Sequence, residues 1–200
     1  MLNEITDNFD KNLRRVENLM NLYKSITVGA GRKPTNSSDL LRATVVLLHS
    51  TLEDFLRNIL AWKLPDQNSS KLENVPLKGT SASGRKTKFH LGELVEFRSK
   101  NVNELIQESV KEYLNKQSFN NTEDIASALI AIGIEVNEPI RNYFTHLEIM
   151  IKRRHNIVHQ ADRQDISGRG YHRIKSISLN QVNTWKNNVD GLTLKIVGAL

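Results

Sequence analysis

Apolar residues recur three and four apart along most of the chain, a spacing that predicts helices rather than strands. Ile5, Phe9, Val16, Met20 and Tyr23 mark a first helix, closed by VGAGRKPTN with its two glycines and a proline. Ser37, Ser38 or Asp39 then caps a second helix whose stripe is Leu41, Val45, Leu48, Leu52, Phe55 and Ile59, ending at Pro65. Residues 65–90, with Pro76, Gly79 and many Ser and Thr, read as one long loop. Further helices are expected over about 102–116 and about 122–132. Pro139 suits the first turn of a long helix running to about Ala161, with Ile140, Tyr143, Phe144, Leu147, Met150, Ile151, Ile157 and Val158 as its stripe. A basic loop over 163–178 leads to a last helix from about Asn180; within it YHRIKSISL is the one weak strand candidate. The expectation is one all-α domain over 1–200, a bundle of five to six helices. It divides into a first helix and loop (1–36), a second helix (37–64), the long loop (65–90) and the remaining helices (91–200).

Bulk composition narrows the function classes. The opening MLNEITDNFDKNLRR carries three acids and no apolar run, so no signal peptide is expected, and no stretch approaches the roughly 20 apolar residues of a membrane span. Absence of cysteine removes disulfides, Cys-ligated zinc and a thiol nucleophile, and a cytoplasmic setting fits best. A net charge of +6 and a pI near 9.5 favour an anionic partner, nucleic acid first among them. The charge is concentrated: Lys152, Arg153, Arg154, Arg163, Arg169, Arg173 and Lys175 face only Asp162 and Asp165, a local net of +5. A second basic cluster, GRKTK at 84–88, falls in the long loop. Aromatic content of 6% supplies no evident platform for stacking bases.

The chemistry is focused at KRRHNIVHQAD, residues 152–162. At about 100° per residue, Arg154 falls near the middle of the apolar stripe centred on Leu147, where an unpaired arginine is costly outside a cleft or interface. His155 and His159 share one flank of that stripe. An Arg-to-His separation of five also occurs at Arg85–His90 and Arg141–His146, but the first is in a loop and the second lies off the apolar sector. Earlier in the chain, Glu53 is four residues from both His49 and Arg57, which reads as an exposed ion-pair ladder or as a carboxylate reaching the site to orient Arg154 or His159. His49 reads as a packing histidine. Glu148, His155, His159 and Asp162 would share a helical face as candidate metal ligands, but Lys152 lies within that face and no HExxH pattern exists. No metal and no cofactor is expected.

Arg154-His155-Asn156-Ile157-Val158-His159 resembles the arginine, polar residue, three residues, histidine motif of the HEPN superfamily of helical ribonucleases. LLRATVVLLHSTLEDFLRNIL (40–60) looks like the superfamily's early helix, and LEDFLR with RRHNIVH is most similar to the RiboL-PSP-HEPN group. The resemblance implies a core of four antiparallel helices and metal-independent cleavage of RNA. Its setting would be a prokaryotic toxin or antiviral-defence system, with an antitoxin or defence partner. Arg154 would then hold phosphate and His159 transfer the proton, supported by His155, Asn156 and Glu53, while Lys152, Arg153, Arg163, Arg169 and Arg173 would bind RNA. His155 departs from the common Asn at that position, leaving open whether it positions substrate or donates a second proton. Five residues of helix separate Arg154 from His159 by about 140° and 7.5 Å, so a homodimer with a composite cleft is expected. The alternative is a non-catalytic HEPN module that binds RNA or adapts one protein to another.

Overall fold

The computed structural model describes residues 1–28, 37–79, 91–164 and 174–200. The fold is all-α. Among the described residues six helices reach ten residues or more: α1 (Leu2–Ile26), α2 (Ser37–Lys63), α4 (Val102–Asn115), α5 (Thr122–Ala131), α7 (Phe144–Gln160) and α8 (Leu179–Gly198). Two short helices, α3 (Ser69–Leu72) and α6 (Glu138–Arg141), complete the order.

The second helix is the centre of the molecule. Its sequence is apolar on more than one face, and it buries Leu41, Val45, Leu48, Leu52, Phe55, Leu56, Ile59 and Leu60 against α1, α4, α5, α7 and α8. Along α1 the buried residues Ile5, Phe9, Leu13, Val16, Met20 and Tyr23 form one stripe against α2, with Phe9 edge-on to Phe55 at 5.4 Å. Polar caps set three of the starts: Asn101 and Glu104 form a capping box on α4, Asn121 accepts from the Asp124 amide at 2.7 Å on α5, and Ser178 accepts from the Gln181 amide at 3.2 Å on α8.

Two expectations need correction. The helix predicted from Pro139 to Ala161 is broken at Asn142–Tyr143, where the Tyr143 amide turns back to the Ile140 carbonyl at 3.1 Å. At this interruption the Tyr143 ring lies so close over Gly191 of α8 that a Cβ there would stand 2.6 Å from its Cε1. The segment predicted as one loop also has structure, a 3-10 turn at Leu64–Asp66 and α3 beyond it. Residues 80–90 of that segment, with GRKTK and the Arg85–His90 pair, lie outside the described residues, as does most of VGAGRKPTN. Of the YHRIKSISL strand candidate, Ile174 makes a single antiparallel bridge with Arg163 and 171–173 are not described.

Candidate active site at the end of α7

Leu147, Met150 and Ile151 bury one face of α7 against α2 and α8. Arg154 follows on that face, one turn further, and is half-buried. Its Nε is enclosed without a hydrogen-bond partner, and it makes no ion pair among the described residues. Opposite it on α2 stands His49, fully buried, whose Nε2–H donates to the Phe119 carbonyl at 3.1 Å. The imidazole of His49 titrates below its ordinary range, first because burial penalises its charged form; the nearby Glu53 opposes the shift and the Arg154 charge adds to it.

Glu53 does form the predicted ladder, with Oε2 3.7 Å from His49 Nδ1 and Oε1 3.6 Å from Arg57 Nη2. His49 and Glu53 of the ladder are buried, and Arg57 is half-buried at its outer end. Its carboxylate accepts from the Phe119 amide at 3.2 Å, and Arg57 donates to the Gln117 carbonyl at 2.8 Å, so the pair ties the α4–α5 connection to α2. Among the described residues Glu53 has no hydrogen bond to Arg154 or His159.

His155 and His159 occupy the outer flank of α7, both exposed, with ring centroids 4.5 Å apart and planes tilted by 43°. Lys152 is exposed on the same side and engages Glu148 at 2.8 Å. Asn156 is half-buried, and its backbone carbonyl accepts from the amides of both Ala161 and Asp162. Those two bonds end the helix: Ala161 (φ 49°) and Asp162 (φ 56°) are left-handed, and the chain turns sharply inward. Asp162 therefore leaves the helical face on which it was grouped with Glu148, His155 and His159. Among the described residues no set of three or more His, Asp or Glu is arranged to hold a metal.

The buried Asp162 is the hub of a network absent from the sequence reading. Its Oδ2 accepts from Arg42 Nε at 2.7 Å and from Arg153 Nη2 at 2.8 Å. Arg42 Nη2 also donates to the Lys175 carbonyl at 2.7 Å, and Arg153 Nη2 reaches the carbonyls of Lys175 and Ser176 at 3.0 and 2.9 Å. The Lys175 amide closes the circuit on the Asp162 carbonyl at 2.8 Å. Arg153, grouped by sequence with the RNA-binding cations, thus points into a clamp joining the start of α2, the end of α7 and the approach to α8. Arg42 carried one signal, a cation inside the apolar run LLRATVVLL; its partner lies 120 residues away and carried none. Arg163 is exposed beside the clamp, while Arg169 and Arg173 lie outside the described residues.

The RiboL-PSP-HEPN family model matches residues 8–200, which include α2 and the whole RRHNIVH turn. No curated protein and no solved structure gives a significant match. A half-buried arginine on the core stripe, an exposed histidine at the end of the same helix and a family match across nearly the whole chain converge: the protein belongs to the RiboL-PSP-HEPN family of the HEPN superfamily.

Proposed function

We propose that this protein is a metal-independent endoribonuclease whose site is built on Arg154 and His159, within one HEPN-like domain. The observation that carries this reading is the placement of Arg154. It has an enclosed Nε without a partner and no ion pair among the described residues, in a chain matched to the family over 8–200. RNA supplies its own nucleophile, the 2′-hydroxyl. His159 takes that proton as the oxygen attacks the adjacent phosphorus, and the 5′-oxygen of the next nucleotide leaves, receiving a proton from an acid such as a second histidine. The products are a 2′,3′-cyclic phosphate and a 5′-hydroxyl. The planar Arg154 guanidinium grips the crowded phosphate and stabilises the charge that develops on it. Because Arg154 flanks the core and His159 faces outward, two copies meeting across a two-fold axis would supply one complete set of groups per phosphate. His155 and Asn156 support substrate at the turn, Glu53 holds the α2 wall behind Arg154, and Lys152, Arg163, Arg169 and Arg173 attract the RNA backbone. The biological setting we assign is a cytoplasmic toxin or antiviral-defence effector, with an antitoxin or defence protein as partner. Among the described residues no helix is long and apolar enough to cross a membrane.

Chelator-treated protein incubated with a mixed-sequence RNA tests the reading. Wild type should yield cyclic phosphate ends and spare DNA; His159→Ala and Arg154→Ala should lose cleavage with helicity intact. Equal cleavage by His159→Ala would sink the catalytic assignment. RNA binding without cleavage by wild type would favour the non-catalytic module.

A further inference from the structure

His155 and His159 stand one helical turn apart on solvent-exposed positions, their rings already in contact at 4.5 Å between centroids. We propose that this pair is a two-point chelate for a borderline divalent transition ion, Zn²⁺ foremost, and that its occupancy withdraws His159 from proton transfer. The chelate stands on the geometry of α7; the inhibition rests on the proton-transfer role proposed for His159 above.

The spacing is that by which a helical HExxH pattern brings two imidazoles to one zinc ion. Zinc binds imidazole nitrogen at about 2.0–2.1 Å, so two nitrogens on a tetrahedral centre lie roughly 3.3 Å apart. Rings tilted by 43° with centroids at 4.5 Å reach that separation by rotation about χ2, which is soft for histidine. Solvent on the outer side leaves room for water at the remaining coordination positions.

Charge would argue against a cation in this basic turn, but the three cations that directly precede His155 are paired or turned toward the core. Lys152 is held by Glu148 at 2.8 Å, Arg153 is inward on Asp162 at 2.8 Å, and Arg154 leans to the core flank with its Nε enclosed. The ligand types select the ion. Two imidazoles without a carboxylate suit zinc, copper or nickel and offer nothing to magnesium or calcium, which require oxygen. The clamp on Asp162 fixes the end of the helix just past His159, so the donors are preorganised. With no third side chain converging among the described residues, binding is reversible. A histidine whose lone pair is held by zinc cannot accept a proton from the 2′-hydroxyl.

Calorimetric titration of the full chain with zinc chloride, and separately with magnesium chloride, tests the chelate. Saturable zinc binding is expected, with no magnesium binding at the same concentrations. His155→Ala and His159→Ala should each weaken zinc at least about tenfold. His146→Ala, an exposed histidine on the same helix, should leave it unchanged, with far-ultraviolet circular dichroism showing all variants folded. Unchanged zinc affinity in either His155→Ala or His159→Ala overturns the chelate. In the RNA cleavage assay, zinc should suppress wild-type activity and a chelator should restore it; full cleavage at saturating zinc overturns the inhibition. If the protein cleaves no RNA at all, the nuclease reading fails while the isotherms still decide the chelate.

Discussion

Substituting Asp162 by alanine should cost more stability than any surface change in the molecule. The carboxylate is completely buried, and its Oδ2 takes charge-assisted hydrogen bonds from two guanidiniums whose side chains are 11% and 13% exposed. Deleting it leaves Arg153 facing only backbone carbonyls and Arg42 with Ser38, Asp39 and the Lys175 carbonyl, and breaking a buried pair from one side costs about 3–5 kcal/mol. Asp39, 3.2 Å from Arg42, keeps part of that charge matched, which favours the lower end of the range. For a domain of this size each kcal/mol shifts Tm by about 2–4 °C, so Tm should fall by about 6–20 °C. Alanine also fits the left-handed φ of 56° poorly, so Asp162→Asn is the sharper partner: asparagine tolerates that conformation and keeps one acceptor. Its loss should be about 1.5–3 kcal/mol, the worth of a hydrogen bond to a charged group. Urea unfolding followed by circular dichroism measures both, and hydrogen exchange at the Lys175 amide, bonded to the Asp162 carbonyl, reports the clamp locally. An alanine variant within about 1 kcal/mol of wild type would refute the idea that the network holds the three segments together.

The pH dependence of stability should carry the signature of His49. Its folded pKa lies below the ordinary 6.5, so on acidification the unfolded chain takes up the proton first. Its contribution is therefore complete above about pH 6.5 and is lost as pH falls below that toward the folded value, with a slope of up to about 1.4 kcal/mol per pH unit. His49→Gln, which can still donate to the Phe119 carbonyl, should flatten that slope in urea titrations between pH 7.5 and 5; parallel curves would assign the loss to other groups. Glu53→Ala should destabilise by about 1–3 kcal/mol, because the Phe119 amide loses its acceptor, and thermal unfolding should show it. Gly191→Ala should destabilise by about 1–3 kcal/mol through its clash with Tyr143, less the roughly 1 kcal/mol that alanine adds to a helix. In a Tyr143→Ala background the same substitution should become stabilising, and a persistent penalty there would mean the ring is not the obstacle.

The core faces were legible because each is a local repeat. Ile5 to Tyr23, Leu41 to Ile59 and Leu147 to Ile151 declare their helices without reference to anything distant in the chain. What stayed hidden was set by contacts between remote segments. Ile140, Tyr143, Phe144 and Leu147 keep helical spacing straight through the break at 142–143, and the close seat of Tyr143 over Gly191 there is invisible in that spacing. Likewise Asp162 kept step with His155 and His159 on paper, because the inward turn at Ala161 leaves no mark in the periodicity.

The neighbouring arginines Arg153 and Arg154 show where such inference holds and where it stops. Both read as cations in a basic turn, and about 100° of helix separates them. That rotation sends Arg153 into a cage of one carboxylate and two carbonyls, where its charge is already matched. The same rotation sends Arg154 toward the wall formed by buried His49, and there, unlike Arg153, it makes no ion pair among the described residues. Adding a positive charge beside a histidine that burial already keeps neutral gains nothing for folding. On the proposed reading, a guanidinium on the stripe where Leu or Ile would pack is there to receive an anion from outside the fold. Arg154→Leu therefore separates the two uses of arginine at this turn: it should raise Tm while removing RNA cleavage, whereas Arg153→Leu should lower Tm through the loss of its bonds to Asp162, Lys175 and Ser176. A fall in Tm for Arg154→Leu as large as that for Arg153→Leu would make both residues structural.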